Sequence, residues 1–161
     1  VMATTQKPVI GQVIDERSKF HDTRKPIINR LEKELGRPVV SLFTSFKYPV
    51  ILSDDDADVL ESILQTMNLQ EGFVLLLSSH GGSGLAAERI ISICRKYSGT
   101  GDYWVIVPGK AKYAATMVCF GASKVFMGPA SELGPIDPQL SISEEGREKR
   151  FSLCNVVTSY K

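Results

Sequence analysis

Apolar positions follow two rhythms along this chain. Ile27, Ile28, Leu31 and Leu35 recur at helical spacing and predict a short helix over 27–35, stopped by Gly36-Arg37-Pro38. Residues 39–46 are rich in β-branched and aromatic side chains and predict a strand. Ser53, followed by Asp54, Asp55 and Asp56, offers an N-cap and first-turn carboxylates that complement a helix dipole. Leu60, Ile63, Leu64 and Met67 form the apolar stripe of that helix. Residues 73–77 are unbroken apolar sequence of strand length, the pattern of a strand covered on both faces. Ala86, Ile90, Ile93, Cys94 and Tyr97 share one face of a second helix, closed by Ser98-Gly99-Thr100-Gly101. Another buried strand is predicted over 103–107, a helix of small residues over 110–121, a short strand over 124–127 and a Gly/Pro-rich loop over 128–138. The tail is charged over 144–150.

Strand, helix, strand, helix, strand is the order of an α/β domain. Ligands in such sheets sit beyond the carboxyl ends of the strands, where residues 78–84 and 108–113 fall. A length of 161 residues suits one domain. We read residues 1–25 as a polar N-terminal arm, with Lys7, Arg17, Lys19, Arg24 and Lys25 set against Asp15, Glu16 and Asp22, and 26–161 as the domain. A net charge of +1 gives no electrostatic case for nucleic acid. The longest apolar run, 73–77, is far below the roughly 18 residues of a membrane span, and Val1–Val9 holds no apolar signal core. Cys94, Cys119 and Cys154 cannot all pair within one chain and match no zinc spacing, which points to reduced cysteines and a cytoplasmic setting. No metal site and no cofactor is expected.

Three segments carry candidate chemistry. His80-Gly81-Gly82-Ser83-Gly84 follows a buried strand and opens a helix, so its amides suit a phosphate or a developing oxyanion, or simply make a turn. It is not the dinucleotide fingerprint, because Ala87 stands where the third glycine belongs. Pro108–Thr116 joins the next strand to a helix and places Lys110 and Lys112 beside its start. They suit an anion or a tuned amine; the alternative is a tightly packed helix with solvated lysines. Residues 128–139 hold three prolines and two glycines, a rigid loop that shapes a substrate or subunit contact or is a structural turn.

Taken in order, these segments resemble the serine dehydrogenase proteinase family, related to signal peptide peptidase A and the Clp protease subunit. The resemblance covers Asp54–Leu140, more faintly 25–46, and its most specific part is Leu133-Gly134-Pro135-Ile136-Asp137-Pro138-Gln139. It implies an α/β fold, the ClpP/crotonase-like spiral of β-β-α units. It also implies an oxyanion hole from the Gly81 and Gly82 amides, with Ser83 and Ala114 lining the substrate. The family's nucleophilic serine falls at Tyr113, in Ala111-Lys112-Tyr113-Ala114-Ala115-Thr116. A tyrosine hydroxyl, with an ordinary pKa of about 10 and a bulky ring, is a poor substitute. Thr116, Ser83 and Ser131 are alternative hydroxyls, and Lys112 and Lys110 alternative amines. Of the two histidines, His21 and His80, neither matches the Clp base, which would fall near Ile136-Asp137; a lysine base of the signal peptide peptidase A kind would fall past Lys161, as in a domain trimmed at its C-terminus.

The expected function is therefore a serine-peptidase-like hydrolase whose nucleophile position holds Tyr113, so that turnover is lost. A non-catalytic peptide-binding or scaffold subunit and a crotonase-like acyl-CoA enzyme are the alternatives. Expected partners are a peptide or protein substrate and further copies of the chain in a homo-oligomer.

Overall fold

The computed structural model describes residues 21–46, 48, 50–99, 102–136, 139–144 and 147–152. Cys154, Thr100, Gly101, Asp137, Pro138 and residues 1–20 of the expected arm lie outside them. The chain divides into two compact units, Val1–Arg37 and Pro38–Lys161. The first contains helix α1 (His21–Leu35), which starts before the predicted 27 because polar residues ahead of the apolar stripe continue the helix. Beyond it, the Gly36 N–H donates to Glu32 O at 2.8 Å.

The second unit is built on a parallel sheet of four strands in the order β1-β2-β3-β5: β1 (Val39–Phe43), β2 (Phe73–Ser78), β3 (Tyr103–Val107) and β5 (Lys124–Met127). Val40 aligns with Leu75, Leu75 with Val105, and Val105 with Val125. Helices α2 (Asp54–Gln65), α3 (Gly84–Tyr97) and α4 (Ala114–Gly121) follow the first three strands. Alternate residues of the central strands, Phe73, Leu75, Leu77, Tyr103, Val105 and Val107, join Leu60, Leu64, Ile90, Cys94, Val118 and Cys119 in one buried core. Ala57, Ala87 and Ala115 are wholly buried, and their small size lets the helices lie close to the sheet. The apolar run over 73–77 is thus a central strand, whereas all four residues of β5 are exposed at the sheet's edge. A hairpin of β7 (Gln139–Glu144) and β8 (Arg147–Ser152) occupies the region of the charged tail.

A second set of very short strands lies between the long strands and the helices. The pair β4 (Lys110–Ala111) and β6 (Glu132–Leu133) is parallel, and single bridges join Leu52 to Gly82 and Ser79 to Ala111. Long strand, short strand, helix is therefore the repeating unit: β1, Leu52, α2; β2, Ser79–Gly82, α3; β3, β4, α4. This corrects two expectations. Residues 110–112 are not the first turn of a helix over 110–121, because Ser79 takes their backbone groups: its N–H donates to Lys110 O at 2.9 Å and its carbonyl accepts Lys112 N–H at 3.1 Å. Nor are residues 128–138 wholly irregular, since Glu132 N–H reaches Gly109 O and Gly134 N–H reaches Ala111 O, each at 2.8 Å.

Tyr103, 1% exposed, donates its hydroxyl to Val118 O at 2.9 Å, near the end of α4 where carbonyls lack helical partners. Tyr103→Phe leaves that carbonyl short of a donor and is expected to cost about 1–2 kcal/mol, read as a lower urea midpoint at unchanged m. Cys94 and Cys119 are buried free thiols, and burial pushes each up to about 12. Both are expected to stay unreactive towards a disulfide reagent at pH 8 until the protein is unfolded, when both titrate at once.

Candidate active site

The short strands end at a sharp elbow. Tyr113 sits between β4 and α4 with φ 48 and ψ −115, and it is the one non-glycine residue with positive φ among the described residues. A bulky residue pays strain to stand there, so the neighbours impose the conformation. They do so from both sides. Lys112 is held by Ser79, and after the elbow Ala115 N–H returns to Lys112 O at 2.9 Å and Met117 N–H to Tyr113 O at 3.2 Å. Tyr113 is 43% exposed. A strained strand-to-helix turn that lifts one side chain out of the fold is the geometry used to present a nucleophile.

Gly81 and Gly82 fit against this elbow because they lack side chains. At Gly81, with φ +91, a Cβ would collide with Lys112 O and come within 2.9 Å of Tyr113 Cβ and 3.1 Å of Ala114 N. At Gly82 a Cβ would collide with the backbone of Leu52, which clasps the loop through Leu52 N–H to Gly81 O (2.8 Å) and Ser83 N–H to Leu52 O (2.9 Å). The two glycine amides differ. Gly81 N–H donates to Ser79 Oγ at 3.0 Å. Among the described residues neither Gly82 N–H nor Ala114 N–H has an acceptor. Ala114 follows the elbow residue, where a donor for an oxyanion is needed.

The remaining candidates are held as follows. Thr116 is buried; its hydroxyl lies 2.8 Å from Ala111 O and 3.1 Å from Gly134 O and accepts Gly134 N–H at 3.2 Å, which ties the 128–136 segment to α4. Ser83 is the N-cap of α3, its Oγ accepting Ala86 N–H at 3.4 Å. Ser131 Oγ donates to Val107 O at 2.6 Å and accepts Gly128 N–H at 2.9 Å, closing a turn. Lys112 Nζ is 2.8 Å from Glu132 Oε2, and Lys110 Nζ is 3.6 Å from Glu132 Oε1. His80 is exposed and meets the Phe46 ring at 4.1 Å between centroids. The structure thus brings Gly81, Gly82, Lys112, Tyr113 and Ala114 together and gives Thr116, Ser83 and Ser131 bonds within the scaffold. Sequence reasoning missed Leu52, which acts through its backbone alone, and Ser79 and Thr44, whose one signal is a hydroxyl placed where the strands are otherwise buried.

The fold has counterparts among solved structures. The chain is similar to the membrane-bound stomatin-specific protease 1510-N, seen as a serine-to-alanine mutant, with a TM-score of 0.53 and 20% identity over 76% of this chain and 56% of that one. A lysine-to-alanine mutant of the same protease, in complex with a substrate peptide, gives a TM-score of 0.55 and 19% identity over 76% of this chain and 53% of that one. The chain has a ClpP-like α/β fold.

The chain matches no family model. It is 30% identical over 101 residues, 63% of its length, to an uncharacterized protein of Methanocaldococcus jannaschii, and it spans 34% of that relative. Within the ClpP-like fold, no helix among the described residues is long and apolar enough to cross a membrane. Among those residues no three His, Cys, Asp or Glu gather as a metal site.

The Glu132 carboxyl is held below the usual carboxylate range, first by its hydrogen bond from Lys112 and then by the charges of Lys110 and Lys112. Its contribution to stability is present above the ordinary glutamate value and is lost as pH falls through the lowered one. A carbon-13 titration is expected to place Glu132 below a typical glutamate, and Lys112→Met to move it up towards the ordinary value.

Proposed function

We propose that this chain carries a peptidase-like site of the ClpP and signal peptide peptidase A type, in the manner of the serine dehydrogenase proteinases, with Tyr113 at the nucleophile position. The observation that carries the reading is the elbow at Tyr113, with the amides of Gly82 and Ala114 near it, which have no acceptor among the described residues. In an active site of this kind a serine oxygen attacks a peptide carbonyl, a base takes its proton, and two amides hold the oxygen that becomes negative. A tyrosine carries its hydroxyl beyond an aromatic ring, away from a carbonyl oxygen held by those amides. Peptide-bond hydrolysis is therefore lost and the capacity to hold an acyl or carboxylate oxygen is kept. On this reading the partner is a peptide or protein, bound by a homo-oligomer in the cytoplasm.

A peptide-binding role is favoured over a crotonase-like one by the Leu133–Gln139 segment, whose start pairs with β4 immediately before the elbow.

Tyr113→Ser tests the reading. Treated with a fluorophosphonate, the variant is expected to gain the mass of one adduct at residue 113, at a rate about 100-fold or more above the parent chain. Equal labelling of both, or labelling that maps to Thr116 or Ser131, would overturn the assignment of position 113.

A further inference from the structure

Four polar side chains are buried among the described residues: Thr44, Ser79, Ser98 and Thr116. Ser98 ends α3, and the other three lie around the elbow. A buried hydroxyl is costly unless it is hydrogen-bonded, so each of these marks a connection the fold requires. Ser79 differs from the others in one respect. Its backbone is already fixed by two bonds to Lys110 and Lys112, which any residue type would make. Its side chain does something separate: Oγ, fully buried, accepts Gly81 N–H at 3.0 Å and Thr44 O–H at 2.9 Å. Thr44 is in turn anchored by its N–H to Ser78 O at 3.0 Å. The chain Thr44–Ser79–Gly81 therefore runs from the carboxyl end of β1 to the loop against Tyr113.

Gly81 has no side chain to restrict the peptide plane that joins it to His80. Without an acceptor for its N–H that plane loses its hold on the side towards β2, and the bond from Leu52 N–H to Gly81 O is left to fix the next plane, which bears the Gly82 N–H. We infer that Ser79 is a positioning residue: its hydroxyl captures the Gly81 N–H and so leaves Gly82 and Ala114 as the donor pair beside residue 113. This deepens the peptidase-like reading and rests on it for the role of the pair, while the hold on Gly81 can be measured by itself.

Two readouts test it. The first is amide hydrogen exchange at Gly81 in the parent chain, Ser79→Ala and Ser79→Thr. Gly81 is expected to exchange about 10-fold or more slowly in the parent and in Ser79→Thr than in Ser79→Ala, with β2 amides protected in all three. The second is fluorophosphonate labelling in the Tyr113→Ser background. Adding Ser79→Ala is expected to slow the step at saturating reagent by about 10–100-fold, and Ser79→Thr to restore it to within a few-fold. Gly81 exchanging as fast in the parent as in an unstructured peptide overturns the inference, even if Ser79→Ala fails to fold. So does undiminished labelling in the alanine variant. If Tyr113→Ser is not labelled at all, the peptidase-like reading fails, and a protected Gly81 still upholds the hold of Ser79 on the loop.

Discussion

Backbone meeting backbone at Gly81 and Gly82 is the constraint on which the rest of this structure depends. On one side Leu52 grips the loop with two main-chain hydrogen bonds, and on the other Lys112, Tyr113 and Ala114 come close enough that a single added carbon would collide. Three chain segments that follow three different long strands are brought to one point. Such contact requires residues without side chains at the junction and strands parallel enough to deliver their ends together. The buried alternation of β2 and β3 against α2, α3 and α4 supplies the second condition.

The same constraint explains why the polar groups are where they are. A layer of two-residue strands cannot bury enough apolar surface to hold itself, so hydroxyls and charges make up the difference. Thr116 ties the loop after β6 to α4, Ser131 closes the turn before β6, and Lys110 and Lys112 converge on Glu132 across the β4–β6 pair. Residues that invite a catalytic reading by type thus have structural partners. Tyr113, itself half-exposed, stands apart from them.

The long elements were legible because burial on both faces leaves an uninterrupted apolar run, as in residues 73–77, and one-sided burial leaves a helical stripe, as from Ala86 to Tyr97. The short strands were not, since Lys110–Ala111 and Glu132–Leu133 owe their state to partners distant in sequence and carry no period of their own. The glycine pair was legible as a close approach, but not which amide would be left without an acceptor among the described residues, because that turns on the Ser79 hydroxyl. Position 113 was singled out by the family resemblance and not by its own residue type; its positive φ has no signature in a tyrosine, a residue that by itself avoids that region.

That last point reaches beyond the present chain. The elbow is shaped by Ser79, Gly81 and the first turn of α4, not by the residue that occupies it, so it behaves as a socket whose occupant can be exchanged without rebuilding the frame. Every tyrosine codon lies one nucleotide from a serine codon. In a lineage that keeps this frame, exchange of tyrosine for serine at the elbow is therefore a single mutational step.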